Sequence, residues 1–87
     1  MKIKSGFILK DVAGSNLIVP IGDNLVDFSQ MITINETGAF LFNKLISGAE
    51  IDELATALTE EYDIDFDSAK SDAEKFVKLL SDEGMLE

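Results

Sequence analysis

Apolar and polar positions change period once along this chain, near residue 35. Before that point the apolar residues come in short β-branched runs. Gly6-Phe-Ile-Leu-Lys-Asp-Val12 and Ser15-Asn-Leu-Ile-Val-Pro-Ile21 flank an Ala13-Gly14-Ser15 turn, which predicts a β-hairpin. Pro20 falls near the end of the second run, where a missing N–H is tolerated. Gly22-Asp23-Asn24 breaks the pattern. Within Asp27–Ile34, the run Gln30-Met31-Ile32-Thr33-Ile34 predicts a third strand.

From Asn35 onward the spacing is helical. Asn35 is a good N-cap. Ala39, Phe40, Leu41, Phe42, Leu45 and Ile46 then recur as on a helix that Gly48 closes. Ile51, Leu54, Ala55, Leu58 and Tyr62 stripe a second helix, with Asp52 and Glu53 in its first turn, where the dipole favours acids. A third helix is predicted from about Phe66 to Asp82. Asp65 caps it, and Ala69, Ala73, Phe76, Val77 and Leu80 form its stripe. Gly84 ends it, so that Met85-Leu86 can fold back on the core. The expected fold class is α+β: three N-terminal strands followed by three helices, in one domain spanning 1–87. Helices two and three would form a helix-turn-helix with the sheet as a wing.

Composition narrows what such a domain can do. The chain has no His, Cys, Trp or Arg. Imidazole bases, thiolate nucleophiles, disulfides and the usual zinc ligands are therefore absent. The net charge is −10, and residues 50–87 carry all of the excess, since 1–49 are balanced. A winged-helix fold often binds DNA, but phosphate binding draws on Lys and Arg, so no nucleic-acid partner is expected. The longest apolar runs, such as Leu17–Ile21, are too short to span a bilayer. The N-terminal residues lead straight into a strand without a signal-peptide core, so the expected location is cytoplasmic and no membrane partner is expected.

Some local patterns mimic chemistry. Asp63, Asp65, Asp67, Ser71 and Glu74 fall at oxygen-donor positions of a calcium loop. Ser68 replaces the turn glycine and Lys70 an apolar position, so neither calcium nor any other metal is expected. Asp67-Ser68 is reminiscent of the phosphopantetheine attachment site of acyl carrier proteins. Those are helical bundles, and Ala69 follows the serine where Leu is usual. Glu60-Glu61 and Asp82-Glu83 are adjacent on a helix and point about 100° apart, so they are not an acid/base pair. Lys70, Lys75 and Lys78 are the only cations of the acidic half. They either pair locally, as Glu74 can with Lys78, or meet an acidic partner; Lys70, beside Ala69 and Ala73, is the first choice for the latter.

Taken together, the residues resemble a family. Met31-Ile-Thr-Ile-Asn-Glu-Thr-Gly-Ala-Phe-Leu-Phe42 is similar to the strand-to-helix junction of PqqD-like proteins. Gly48, Ile51-Asp-Glu-Leu54 and Leu58–Asp63 resemble that family's second helix. Ala69, Asp72, Phe76, Leu80, Gly84 and Leu86 resemble its last helix and tail. Glu50 departs from the usual Thr or Ser at a helix start, which touches capping only. The resemblance implies a RiPP recognition element, a winged helix-turn-helix-like domain that binds the leader segment of a ribosomally made precursor peptide. The leader adds as a strand to the third strand and lies against the last helix. The domain then presents its substrate to a tailoring enzyme, often a radical-SAM enzyme or a peptidase, in natural product biosynthesis.

The expected role is thus a free-standing, non-catalytic peptide chaperone without a cofactor, monomeric or weakly homodimeric. The alternatives are a carrier-type protein loaded at Ser68 and a winged-helix adaptor. The expected peptide edge is Phe28, Ser29, Gln30, Met31, Ile32 and Thr33. The expected wall is Ala69, Lys70, Ala73, Phe76, Val77 and Leu80 of the third helix, where small residues leave room for a chain. Two physical arguments support this placement. A sheet edge offers unpaired N–H and C=O groups. Phe76, Val77, Leu79 and Leu80 together cannot easily all face one core.

Overall fold

A computed structural model describes residues 1–22, 25–26 and 31–87. Strands β1 (Phe7–Val12) and β2 (Ser15–Gly22) form the expected hairpin, with Phe7 opposite Pro20 and Val12 opposite Ser15. Its two linking residues, Ala13 and Gly14, both have positive φ, 54° and 84°. That twist matches the twist of the flanking strands, and the Asp11 carboxylate accepts the Gly14 N–H at 3.1 Å.

Strand β2 is central. β1 takes one edge, while β3 (Leu25–Val26) and β4 (Ile32–Ile34) take the other, all antiparallel. The expected order of three strands and three helices stands, with the short β3 as an addition. β3 and β4 pair the same edge of β2 in different registers, Val26 opposite Ile21 but Ile32 opposite Ile18. Pro20 lies between those two pairings. The Ile21 N–H donates to the Gly6 carbonyl on the β1 side at 2.6 Å. Adjacent residues of a strand face opposite edges, so the Pro20 nitrogen faces β3 and β4, where it has no hydrogen to give.

Three helices cover one face of the sheet: α1 (Glu36–Ser47), α2 (Ile51–Glu61) and α3 (Phe66–Asp82). Each start has a local cause. Asn35 accepts the Gly38 N–H at 2.8 Å, Glu53 accepts the Glu50 N–H at 2.9 Å, and Asp65 accepts the Ser68 N–H at 3.1 Å. Gly48, at φ 94°, closes α1. Ile18 and Ile34 of the sheet pack with Leu41, Phe42 and Leu45 of α1, Leu54, Ala55 and Leu58 of α2, and Ala69, Ala73, Phe76 and Leu80 of α3. Each large apolar side chain buried there contributes about 1.5–3 kcal/mol. Met85 folds back onto this core, as expected for the tail. The sequence pattern did not foretell the antiparallel bridge between Ile3 and Leu86, which ties the two terminal segments together. Among the described residues, no helix is long and apolar enough to cross a membrane.

Candidate functional site

The backbone parity of β2 sets what β4 offers. Asn16 and Ile18 share the edge orientation of Pro20, so they exchange hydrogen bonds with their partners Ile34 and Ile32. The N–H and C=O of Ile32 and Ile34 are thereby spent inside the sheet. Those of Thr33 point the other way, to an edge that no described strand pairs. Side chains alternate as well: Ile34 is buried in the core and Ile32 packs against it, while Thr33 is exposed.

A cleft of about 390 Å³ opens beside this edge. Thr33, Ile34 and Asn35 form one side, Thr37, Gly38 and Leu41 of α1 the floor, and Asp72, Lys75, Phe76 and Leu79 of α3 the far wall. Gly38 is what lets these parts approach. A Cβ there would stand 3.1 Å from the Ile34 Cβ and 3.2 Å from the Phe76 ring. Asn35 therefore caps α1 while Gly38, three residues on, makes room for β4 and α3 against its first turn. Leu79 is 36% exposed, which leaves an apolar surface in an otherwise mixed lining.

Of the residues expected to touch a peptide, Met31, Ile32 and Thr33 lie on or beside the β4 edge, and Phe76 lines the cleft. Phe28, Ser29 and Gln30 lie outside the described residues. The six residues expected as the wall fall in different settings. Ala69, Ala73 and Leu80 are fully buried, with no surface to offer a ligand. Val77 is half-buried and packs on the core. Lys70 points toward α2, where its ammonium lies 3.3 Å from the Asp52 carboxylate. Small residues on α3 bring the neighbouring helix close, and the α3 stripe that lines the cleft is Asp72–Lys75–Phe76–Leu79. Helical spacing could have found that stripe, because the four residues fall at i, i+3, i+4 and i+7 on one helix face. The burial of Ala69, Ala73 and Leu80 leaves Leu79 as the surplus apolar residue of the run.

The mimicked sites have structural uses. Asp65 accepts both the Ser68 N–H and, at 2.9 Å, the Ser68 hydroxyl, so the Asp67-Ser68 pair sits within the α3 cap. These hydrogen bonds hold the Asp65 carboxyl below its usual range, the backbone bond most strongly. Asp67, Ser71 and Glu74 ride on the continuous helix and do not curl into a loop. Tyr62 stacks edge-on against Phe40, with ring centroids 5.7 Å apart. Desolvation, aided by the nearby Glu36 and Glu61, raises the Tyr62 hydroxyl pKa. The cleft itself offers main-chain groups, hydroxyls, one carboxylate, one ammonium and an apolar floor, which is an inventory for holding a chain.

The profile of the family described as Coenzyme PQQ synthesis protein D (PqqD) matches residues 8–86. No curated protein sequence matches the chain. Two solved structures share the fold. One is TbiB1 in complex with the TbiA(beta) leader peptide, at a TM-score of 0.75 and 18% identity over 100% of this chain and 95% of that one. The other is a lasso peptide synthetase B1 complexed with the leader peptide, at a TM-score of 0.72 and 19% identity over 97% of this chain and 93% of that one.

Proposed function

Because the chain belongs to the PqqD family, we propose that it is a peptide-recognition domain that binds the leader segment of a ribosomally made precursor peptide and presents it to a tailoring enzyme. The observation that carries this reading is the outward-facing main chain of Thr33 beside the cleft. A leader in extended form pairs with Thr33, and its alternate side chains drop between β4 and α3. Main-chain bonds give affinity that any sequence could use; the Phe76–Leu79 wall gives selection. Both similar solved structures hold leader peptides, which supports the same class of ligand here. The domain itself performs no chemistry in this scheme. A radical-SAM enzyme or a peptidase would act on the presented substrate.

The test is a titration with synthetic leader segments of precursor peptides encoded near the gene, followed by amide hydrogen exchange. Binding should slow exchange at Thr33 and shift resonances of Lys75 and Leu79. Saturable binding that leaves both β4 and α3 unperturbed would rule the reading out.

A further inference from the structure

The three lysines of α3 have different fates. Lys70 is paired with Asp52 at 3.3 Å, and Lys78 with Asp82 at 3.0 Å. Lys75 makes no ion pair among the described residues, and it is the lysine that lines the cleft. Among the described residues it is thus the one lysine of the 50–87 half outside an ion pair. Asp72 stands three residues earlier on the same wall without pairing to it. The wall therefore presents an ammonium held in no ion pair among the described residues, next to the apolar surface of Phe76 and Leu79.

Strand geometry says which peptide positions meet this wall. In a chain added along β4, residues opposite Ile32 and Ile34 point to the α3 side, while the residue opposite Thr33 points to the other face. Two side chains spaced i, i+2 thus enter the cleft together. Resting on the reading above, we propose that Lys75 is the charge-selecting residue of the cleft, which favours an extended peptide carrying a carboxylate two residues from an apolar anchor. The anchor packs against Phe76 and Leu79, and the carboxylate meets the Lys75 ammonium. Elsewhere the acidic surface of α2 and α3 repels an acidic peptide, so the attraction is confined to one register.

A random-peptide display library panned on the wild-type protein, on Lys75→Glu and on Thr33→Pro tests this. Wild-type selectants lost on Thr33→Pro should carry Asp or Glu two positions from an aliphatic or aromatic residue. On Lys75→Glu that position should turn to Lys or Arg. For matched synthetic peptides, Glu→Gln should weaken binding to wild type by about fivefold, the upper range for an exposed ion pair. That difference should vanish in Lys75→Ala and in high salt. Thr33-dependent peptides with the same charge preference on wild type and Lys75→Glu would overturn the role of Lys75 and leave the cleft reading standing. Absence of any Thr33-dependent peptide would overturn the cleft reading, and the role of Lys75 with it.

Discussion

The outer edges of β1 and β4 expose the same chemistry, alternate N–H and C=O groups that no described strand pairs. On length alone β1 is the better template, with six residues against three. What β4 has in addition is a neighbour. The first turn of α1 and the Asp72–Leu79 stripe of α3 stand beside it and turn a bare edge into a cleft with a floor. Among the described elements, β1 packs mainly on β2. Hydrogen-bonding capacity is common to any sheet edge. A recognition site needs side-chain surface placed at strand spacing alongside it.

The sharpest way to break this comparison uses two adjacent prolines. Ile32→Pro removes an N–H that bonds β2, and it should cost on the order of 3 kcal/mol of stability. Thr33→Pro removes an N–H that faces outward. It should melt close to wild type and lose peptide affinity by roughly tenfold or more, because the ring also obstructs the incoming strand. Thermal unfolding by circular dichroism and a binding titration on both variants decide it. Equal melting losses would mean that Thr33 also pairs within the sheet, and the β4 edge would lose its claim. Under peptide, hydrogen exchange should slow at Thr33 and stay unchanged at Leu9, whose N–H occupies the same position on the β1 edge.

Next in size is the floor. Gly38→Val should destabilise by about 1–3 kcal/mol, since its side chain must displace Ile34 or Phe76. Gly38→Ala should be near neutral, because its gain in helix propensity of about 1 kcal/mol offsets a contact a few tenths of an ångström too short. A Gly38→Val protein as stable as wild type would show that the floor gives way easily and does not hold the cleft open. Smaller again is the wall. Leu79→Asp should cut peptide affinity roughly tenfold while stability changes by less than about 0.5 kcal/mol. Val77→Asp should do the reverse, lowering stability by about 1–3 kcal/mol, because Val77 packs on the core. Swapped outcomes would return the wall to the Val77 side.

That last contrast marks where the sequence stopped being legible. Period and turn residues located the hairpin, all three helices and the N-caps of the first and third, because each of those depends on residues within a few positions of one another. Asn35 and Gly38, or Asp65 and Ser68, are cases. The Glu50–Glu53 capping box of α2 was not foreseen. The terminal bridge between Ile3 and Leu86 joins distant segments, and no local pattern encodes it. The cleft was half legible. The β4 edge follows from a strand with one neighbour. The wall depends on the rotation of α3 about its own axis, which is fixed by packing against α2 and the sheet. Ala69 and Ala73 read as space for a ligand, but α2 takes up that space.

The smallest effect concerns the base of the wall, about two turns before Asp72. The Asp65 carboxyl is held below its ordinary value of 3.8, first by the Ser68 N–H and then by the Ser68 hydroxyl. A lowered folded-state pKa means that the unfolded chain takes up the proton first. The cap's stabilisation is therefore complete above the ordinary value and is lost as pH falls through the folded-state value. Asp65→Asn keeps an acceptor for the Ser68 N–H and does not titrate. The melting temperature of wild type should exceed that of Asp65→Asn at neutral pH, and the gap should close on acidification below that range. Relief of the −10 repulsion acts on both proteins nearly alike, so it drops out of the difference. Peptide affinity at neutral pH should be the same for both, since the cap fixes the start of α3 and the cleft is formed by its later turns. A gap that stays constant with pH would show that the Asp65 charge contributes nothing beyond its oxygen. A loss of affinity in Asp65→Asn would tie the cap to the cleft and blur the line between the parts of α3 that hold it in place and the parts that meet the peptide.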